Sequence, residues 1–446
     1  MTPGGGDRLP AVLVILDGLG DRPVPELGGR TPAEVARTPV LDELARRGAS
    51  GWHVPLGPGR APSSELAHWS LLGYEDQPFP GRAVLEALGV GLEVPEGVAV
   101  LHAALRTSRV DGDVVRVTGR PGRDDADDAA ALLSSLGAIE IAGSQLHRLG
   151  RPGEALLTFP AHARGDVSDS DPFFDDLHPW LRPVATSRAG AALAADLTAF
   201  LLAARVALAA SPVNRDRADR GAAPLDLLTT KWAGARAPLP SFVEVVGVAG
   251  GAVTSSALYR GLARLLGLRD VDVPGRADLA AEMAERVAAA EALIGDGARF
   301  VHVHTKATDE AGHTKDPYAK RDALEAIDAG LAGLLPLADR AVVAVTGDHA
   351  TPSTGSVMHT GDPTPFTMAG GAVRPDRVAA LGEAPARDGD LGVLAAADVL
   401  PLMFSAAGRP AFLGHRIGPR RTIALPDHPE PMRPGRDPQA GTTSGR

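Results

Sequence analysis

The 446 residues contain no cysteine, so neither a disulfide framework nor a thiolate metal site is available. A small-molecule enzyme in a reducing, cytoplasmic setting is the simplest reading. Positive charge is also scarce: the net charge is -10 and the pI is near 5.7. General nucleic-acid affinity needs a basic face that neutralises phosphates, so no nucleic-acid partner is expected, and any anionic ligand must be held locally. Long apolar runs are missing too. The most apolar stretch, Ala189 to Ala210, is interrupted by Asp196 and Arg205, and reads as a soluble helix and not as a membrane span of ~20 apolar residues. Met1 to Pro10 lacks the basic segment and apolar core of a signal peptide, so secretion is not expected. Lysine is rare, with only Lys231, Lys306, Lys315 and Lys320 among the basic residues. No repeat of the kind that marks solenoids is present.

What is there suits a globular chain. The composition is 44% hydrophobic and 22% charged with a mean hydropathy of -0.01, and the length allows two or three domains of ~100 to 200 residues. Ala11 to Leu16 is an unbroken apolar run ending in Asp17-Gly18-Leu19-Gly20, the pattern of a strand buried on both faces. Arg299 to His304 leads toward Asp309, and Ala341 to Thr346 leads into Gly347-Asp348-His349. Helical spacing accompanies them over Asp278 to Ile294 and Lys320 to Leu335, which predicts an α/β fold with a doubly wound, mainly parallel sheet. Between 93 and 185 short strands are expected at Val98 to Leu105, Val114 to Val117 and Ala155 to Phe159, with a helix at Asp125 to Leu136. This reads as a smaller α+β domain inserted into the core as a lid. The core is expected over 1–92 and 186–425, resuming with the helix Ala189 to Ala210 and a strand Phe242 to Val246. The Pro- and Gly-rich 426–446 is expected to be a disordered tail.

Ligands of open parallel sheets bind beyond the carboxyl ends of the strands, where Asp17, Asp309 and Asp348 are placed. Three carboxylates brought together repel one another unless cations lie between them. Asp309 is followed four residues later by His313, and Asp348 by His349 and then His359. A mixed oxygen and nitrogen donor set suits Mn, Zn or Co, with Mg a further option, and two divalent metal ions can be filled from it. A helix is expected to start at Pro62-Ser63-Ser64, where free amides and the helix dipole stabilise an anion. Each of these features has an ordinary structural reading as a cap or turn; their joint occurrence does not.

Ser64-Glu65-Leu66-Ala67-His68 with Leu71-Leu72-Gly73-Tyr74, the opening LDGLGDRP with TPVLDELARRG, and the segments KATDEAGH and VTGDHATP together resemble 2,3-bisphosphoglycerate-independent phosphoglycerate mutases of the shorter, archaeal type. That family lies within the alkaline phosphatase superfamily. The resemblance spans most of 11–370 and implies an alkaline-phosphatase-like core. It also implies interconversion of 3-phosphoglycerate and 2-phosphoglycerate, or of a close analogue, through a phosphorylated Ser64. Asp17, Ser64, Asp348 and His349 would surround one metal, and Asp309, His313 and His359 the other. Lys306, Arg82, Arg148, Asn214, Arg217, Arg220 and the segment Ser168-Asp169-Ser170-Asp171-Pro172 match family positions expected near a small phosphorylated carboxylic acid. The oligomeric state is left open.

Two departures stand out. An Arg-Cys-Asn-Phe-like segment of the resembling pattern reads here His102-Ala103-Ala104-Leu105, and a Leu-Leu-Arg-Gly-Ala-Gly-like stretch reads Thr229-Thr230-Lys231-Trp232-Ala233-Gly234. A guanidinium offers carboxylate and phosphate a two-pronged fork that imidazole cannot. Substrate recognition is therefore expected to differ, and a phosphatase or phosphonate-processing hydrolase of the same superfamily is the alternative.

Overall fold

The computed structural model describes residues 8–171 and 178–411; the expected tail 426–446 and Pro172 lie outside them. The strands run β1 (Ala11–Leu16), β2 (Gly48–His53), β3 (Ala99–Asp111), β4 (Val114–Gly119), β5 (Gln145–Arg148), β6 (Glu154–Phe159) and β7 (Leu227–Ala235). They continue with β8 (Gly250–Thr254), β9 (Arg269–Asp272), β10 (Phe300–Thr305), β11 (Val342–Thr346), β12 (Thr364–Ala369) and β13 (Gly392–Leu394). Eight of them form one sheet in the order β13-β2-β12-β11-β1-β10-β8-β9. β11, β1, β10, β8 and β9 are mutually parallel, whereas β12 is antiparallel to both of its neighbours.

β1 shows why a central strand reads as an unbroken apolar run. Ala11, Leu13 and Ile15 enter the core on one face with Trp69, Tyr259, Leu262 and Phe404. Val12, Val14 and Leu16 enter the core on the other with Met283, Val287, Leu324 and Ile327. Helices on both faces leave no polar side to the sheet, as expected of a doubly wound architecture. The helix expected over Lys320 to Leu335 is divided, into Pro317–Gly330 and Leu334–Leu337.

Two expectations are corrected. Phe242 to Val246 is a one-turn helix and not a strand. Ser241 and Glu244 form a reciprocal capping box, Gly247 closes the turn at φ 95°, and Phe242 and Val246, four residues apart, share the buried face, so local capping overrides the strand propensity of a β-branched run. The boundary at 185 also moves. The second sheet, built on β3 with β4, β6 and β7 and with β5 on β6, takes in β7 well beyond it. The helix Ala191–Ala210 packs on that sheet, with Leu193, Leu197, Phe200, Leu201, Ala204 and Leu208 buried in its core. The core sheet resumes only at β8. By length and hydropathy Arg188–Ala210 could cross a membrane. Its charges are used inside the fold, Asp196 bonding His162 and Arg205 bonding Ser108.

Candidate active site

The three parallel strands at the middle of the sheet end side by side. Leu16 of β1 is in register with Thr305 of β10, and Ile15 with Thr346 of β11. Asp17, Asp309 and Asp348 therefore emerge together, and all three are buried. The loop after β1 is compact because Gly18 takes φ 65°, and a Cβ there would lie 2.4 Å from Thr351 Oγ1 and 2.9 Å from Asp309 Oδ1. Thr351 Oγ1 donates to Asp309 Oδ1 at 2.7 Å and lies 3.1 Å from His349 Nδ1. One hydroxyl thus orients a carboxylate and an imidazole.

Ser64 is the first residue of the helix Ser64–Leu71, with Ser63 at the cap position; neither side chain makes a capping bond. Ser64 Oγ instead lies 2.9 Å from His349 Nε2. His349 Nε2 is 3.2 Å from Asp17 Oδ1 and 3.5 Å from Asp348 Oδ2. On the other side, Asp309 Oδ1 is 3.1 Å from His313 Nε2 and 3.4 Å from His359 Nε2, and the two imidazole nitrogens are 3.3 Å apart. The His359 ring stacks on His349 at 3.8 Å. Asp17, Asp348 and His349 form one group whose donor atoms all lie within 4.8 Å of one another, and Asp309, His349 and His359 form a second. His349 thus belongs to both groups, and His313 joins the second through Asp309 and His359.

This donor set fits cations. Asp17 Oδ1 and Asp348 Oδ2 are buried with no hydrogen-bond partner, a costly arrangement unless positive charge meets them. Burial acts to raise the Asp17 carboxyl, but Lys306 and the bonds from His304 and His349 hold it well below its ordinary value. Asp348 is raised, by burial and by the neighbouring Asp17. Burial alone would lower His349, yet Asp348 and Asp17 push it up to about 9.

A cavity of about 430 Å³ opens beside Ser64, lined by Arg82, Glu86, Arg151, Tyr259 and Lys306 among others. Lys306 Nζ bridges Asp309 Oδ2 at 2.8 Å and Asp17 Oδ2 at 3.3 Å. Arg82 donates to Glu86 at 3.1 Å and to Glu65 at 3.4 Å. Arg148 lines a neighbouring groove with Ala126 and Leu133, while Leu149, Gly150 and Arg151 reach the Ser64 cavity.

Asn214, Arg217 and Arg220 do not reach it, and this corrects their expected role. Asn214 bridges Leu208 and Leu225 backbone groups. Buried Arg217 bonds Asp125, Asp128 and the Ala223 carbonyl, and Arg220 bonds Asp128. Their polar groups hold a helical corner of the second sheet. Within the 168–171 segment, Asp171 pairs with Arg106 at 3.0 Å and Asp169 accepts the Trp232 amide at 2.8 Å. The two sequence departures meet in space, the His102 and Trp232 rings lying 5.0 Å apart.

Residues not anticipated from sequence complete the site. Tyr259 donates to Asp17 Oδ2 at 2.8 Å, and His304 Nε2 lies 3.0 Å from the same oxygen. These contacts occupy Oδ2, while Oδ1 faces His349 Nε2 at 3.2 Å. Burial drives His304 down to about 3, so it is neutral. His68 lies 3.6 Å from Asp348 Oδ2. One signal was readable: His302 and His304 alternate along a strand buried throughout, and alternate residues share a face.

The metalloenzyme superfamily profile matches residues 9–406. The chain is 33% identical over 416 residues to the 2,3-bisphosphoglycerate-independent phosphoglycerate mutase of Thermococcus kodakarensis, covering 89% of this chain and 97% of that one. Against the protein of the same name from Methanoculleus marisnigri the identity is 34%, over 91% and 98% of the two chains. Among solved structures, a Pyrococcus horikoshii protein superposes with a TM-score of 0.76 at 29% identity, covering 91% of this chain and 99% of its own. The cofactor-independent phosphoglycerate mutase of Thermoplasma acidophilum does so at 0.63 and 29%, covering 90% and 100%. Identity of 33% to 34% over 89% to 91% of the chain, with the buried aspartates and their histidines in one cluster, places this chain in the 2,3-bisphosphoglycerate-independent phosphoglycerate mutase family of the metalloenzyme superfamily.

Proposed function

We propose that the chain interconverts 3-phosphoglycerate and 2-phosphoglycerate by phosphoryl transfer through Ser64. The observation that carries this reading is Ser64 Oγ, uncommitted to capping and 2.9 Å from His349 Nε2, within a cluster of three buried aspartates. Asp17, Ser64, Asp348 and His349 would hold one divalent cation and Asp309, His313 and His359 the other, with Mn, Zn, Co or Mg as the metal. Such cations supply Lewis-acid polarisation of the phosphoryl oxygens and favour the alkoxide.

The chain's own groups do the rest. Ser64 Oγ gives up its proton and attacks phosphorus as the bond to the glycerate oxygen breaks, and that oxygen takes up a proton. In the return step the other glycerate hydroxyl gives up its proton and attacks the phosphoserine as the Ser64 Oγ–phosphorus bond breaks, and Oγ regains a proton, so no water is consumed. The start of the helix Ser64–Leu71 places backbone amides toward the transferred anion. Lys306 stays protonated: burial opposes this, but Asp17 and Asp309 outweigh it. Its ammonium adds charge at the wall of the cavity. Arg82 and Arg151 stand farther along, placed to hold the acid group while the glycerate turns. The second sheet would serve as the lid that keeps the glycerate from water, in a cytoplasmic setting.

Ser64→Ala in the metal-loaded enzyme is expected to lower turnover by about a thousandfold or more. A phosphorylated Ser64 peptide should be found by mass spectrometry after acid quenching of the parent with 3-phosphoglycerate. Phosphorus NMR should show 2-phosphoglycerate forming without free phosphate. Release of phosphate as the sole product would assign a hydrolase instead, and near-parental turnover of the alanine variant would remove Ser64 as nucleophile.

A further inference from the structure

Trp232 occupies a place that its side chain should avoid. The pairing of β3 with β7 passes from Val100 opposite Gly234 to His102 opposite Lys231, so Trp232 and Ala233 together oppose a single residue, Leu101. At this bulge Trp232 has φ 59°. The left-handed position of such a bulge is normally filled by glycine, because a bulky side chain there is strained. Its amide is pinned by Asp169 Oδ1 at 2.8 Å. Bulges beside active sites serve to re-aim a side chain.

The re-aimed indole meets Arg82. The guanidinium carbon lies 3.9 Å from the ring centroid, Lys231 Nζ lies 4.1 Å from it, and His102 approaches at 5.0 Å. His102 Nδ1 lies 2.8 Å from Glu86 Oε2, and the other oxygen of Glu86 accepts from Arg82 Nε. Glu65, the residue after the nucleophile, accepts from Arg82 Nη1. The guanidinium is therefore gripped on two edges by carboxylates and on its face by an aromatic ring, which leaves Nη2 for a ligand. Stacking of this kind spares a long side chain the entropy of being fixed at the moment of binding. Arg82 lines both the Ser64 cavity and an adjoining one of about 470 Å³ that Trp232 also lines. In the Ser64 cavity Lys306 and the start of the Ser64 helix would serve the phosphoryl group, and Arg82 is a further cation of the same lining.

We propose that Trp232 is a positioning residue for acid-group recognition: its indole holds Arg82 in place to bind the carboxylate of a phosphorylated hydroxy acid. This rests on the functional reading above and deepens it. The discriminating pair is Trp232→Gly, which removes the ring while suiting the left-handed backbone, and Trp232→Phe, which keeps an aromatic face. Metal-loaded parent and variants are titrated calorimetrically with 3-phosphoglycerate and with inorganic phosphate. Trp232→Gly should weaken 3-phosphoglycerate at least tenfold and phosphate less than threefold, with Trp232→Phe within threefold of the parent for both. Unchanged 3-phosphoglycerate affinity in the glycine variant would overturn the proposal. So would equal weakening of both ligands, which would assign Arg82 to phosphate, or a phenylalanine variant as weak as the glycine one. A parent that binds 3-phosphoglycerate without isomerising it would sink the mutase reading and leave this one standing.

Discussion

At the scale of single residues, the site depends on small groups as much as on its charged ones. Gly18 lets the backbone after β1 pass against Thr351 and Asp309, where an added Cβ would stand 2.4 Å from the Thr351 hydroxyl. Gly18→Ala must bear a left-handed backbone, at about 1 to 2 kcal/mol, and must also displace the hydroxyl that orients Asp309 and His349. Metal titration should therefore show weaker binding at the Asp309 group, with loss of turnover larger than the fall in unfolding free energy. Parental metal affinity in that variant would show that the Thr351 contact is dispensable. The clustering of these side chains was legible in sequence, since Asp17, Asp309 and Asp348, with His313, His349 and His359 close behind them, follow strand ends. Tyr259 was not, because a tyrosine inside the amphipathic helix Ala257–Leu266 reads as core until tertiary packing shows its hydroxyl 2.8 Å from Asp17. Asn214, Arg217 and Arg220 misled for a related reason: an arginine beside a helix end serves equally to bind a substrate or to neutralise Asp125 and Asp128, and sequence spacing does not separate the two.

At the scale of elements, long regular segments were readable and short ones were decided by their ends. β1 and β11 announce themselves because burial on both faces demands continuous apolar runs, and β10 keeps Phe300, Val301 and Val303 around its two histidines. The segment Phe-Val-Glu-Val-Val at 242–246 has the composition of a strand, yet Ser241 and Glu244 cap it as a helix. Ser241→Ala should remove the Ser241 Oγ partner of the Glu244 amide and cost about 1 kcal/mol. A urea midpoint lowered correspondingly, without a change in slope, would be the expected result, and an unaltered midpoint would mean that Phe242 and Val246 hold the turn by packing alone. The boundary placed at 185 failed for a different reason. Helix Ala191–Ala210 is apolar enough to suit either core, and only the pairing of β7 with β3, a contact distant in sequence, draws it to the second sheet.

Across the whole molecule, the loops that carry Asp17 and His349 are tied together by a buried polar cluster behind the site. Lys320 Nζ donates to the Gly20 and Thr351 carbonyls at 2.8 Å each and to Asp21 at 3.0 Å. Asp21 in turn accepts the Ser353 amide, and Glu383 accepts from the Asp21 amide at 2.9 Å and from Thr31 at 2.6 Å. Burial pushes Glu383 from 4.5 up to about 7, against the hydrogen bonds and Lys320, which favour its charge. The folded chain thus keeps a proton that the unfolded chain releases near 4.5. Stability from this group is fully present below that pH, falls as pH rises toward 7, and is constant above. Glu383→Gln stays neutral throughout, keeps an acceptor for the Asp21 amide, and can donate to Thr31. Relative to the parent it should therefore gain stability between pH 4.5 and 7, reaching about 3 kcal/mol at pH 8 if the amide replaces both hydrogen bonds. Chemical unfolding of both proteins at pH 5, 6, 7 and 8 measures the difference. Parallel stability curves would mean that Glu383 ionises normally, its charge met by the Asp21 amide, the Thr31 hydroxyl and Lys320.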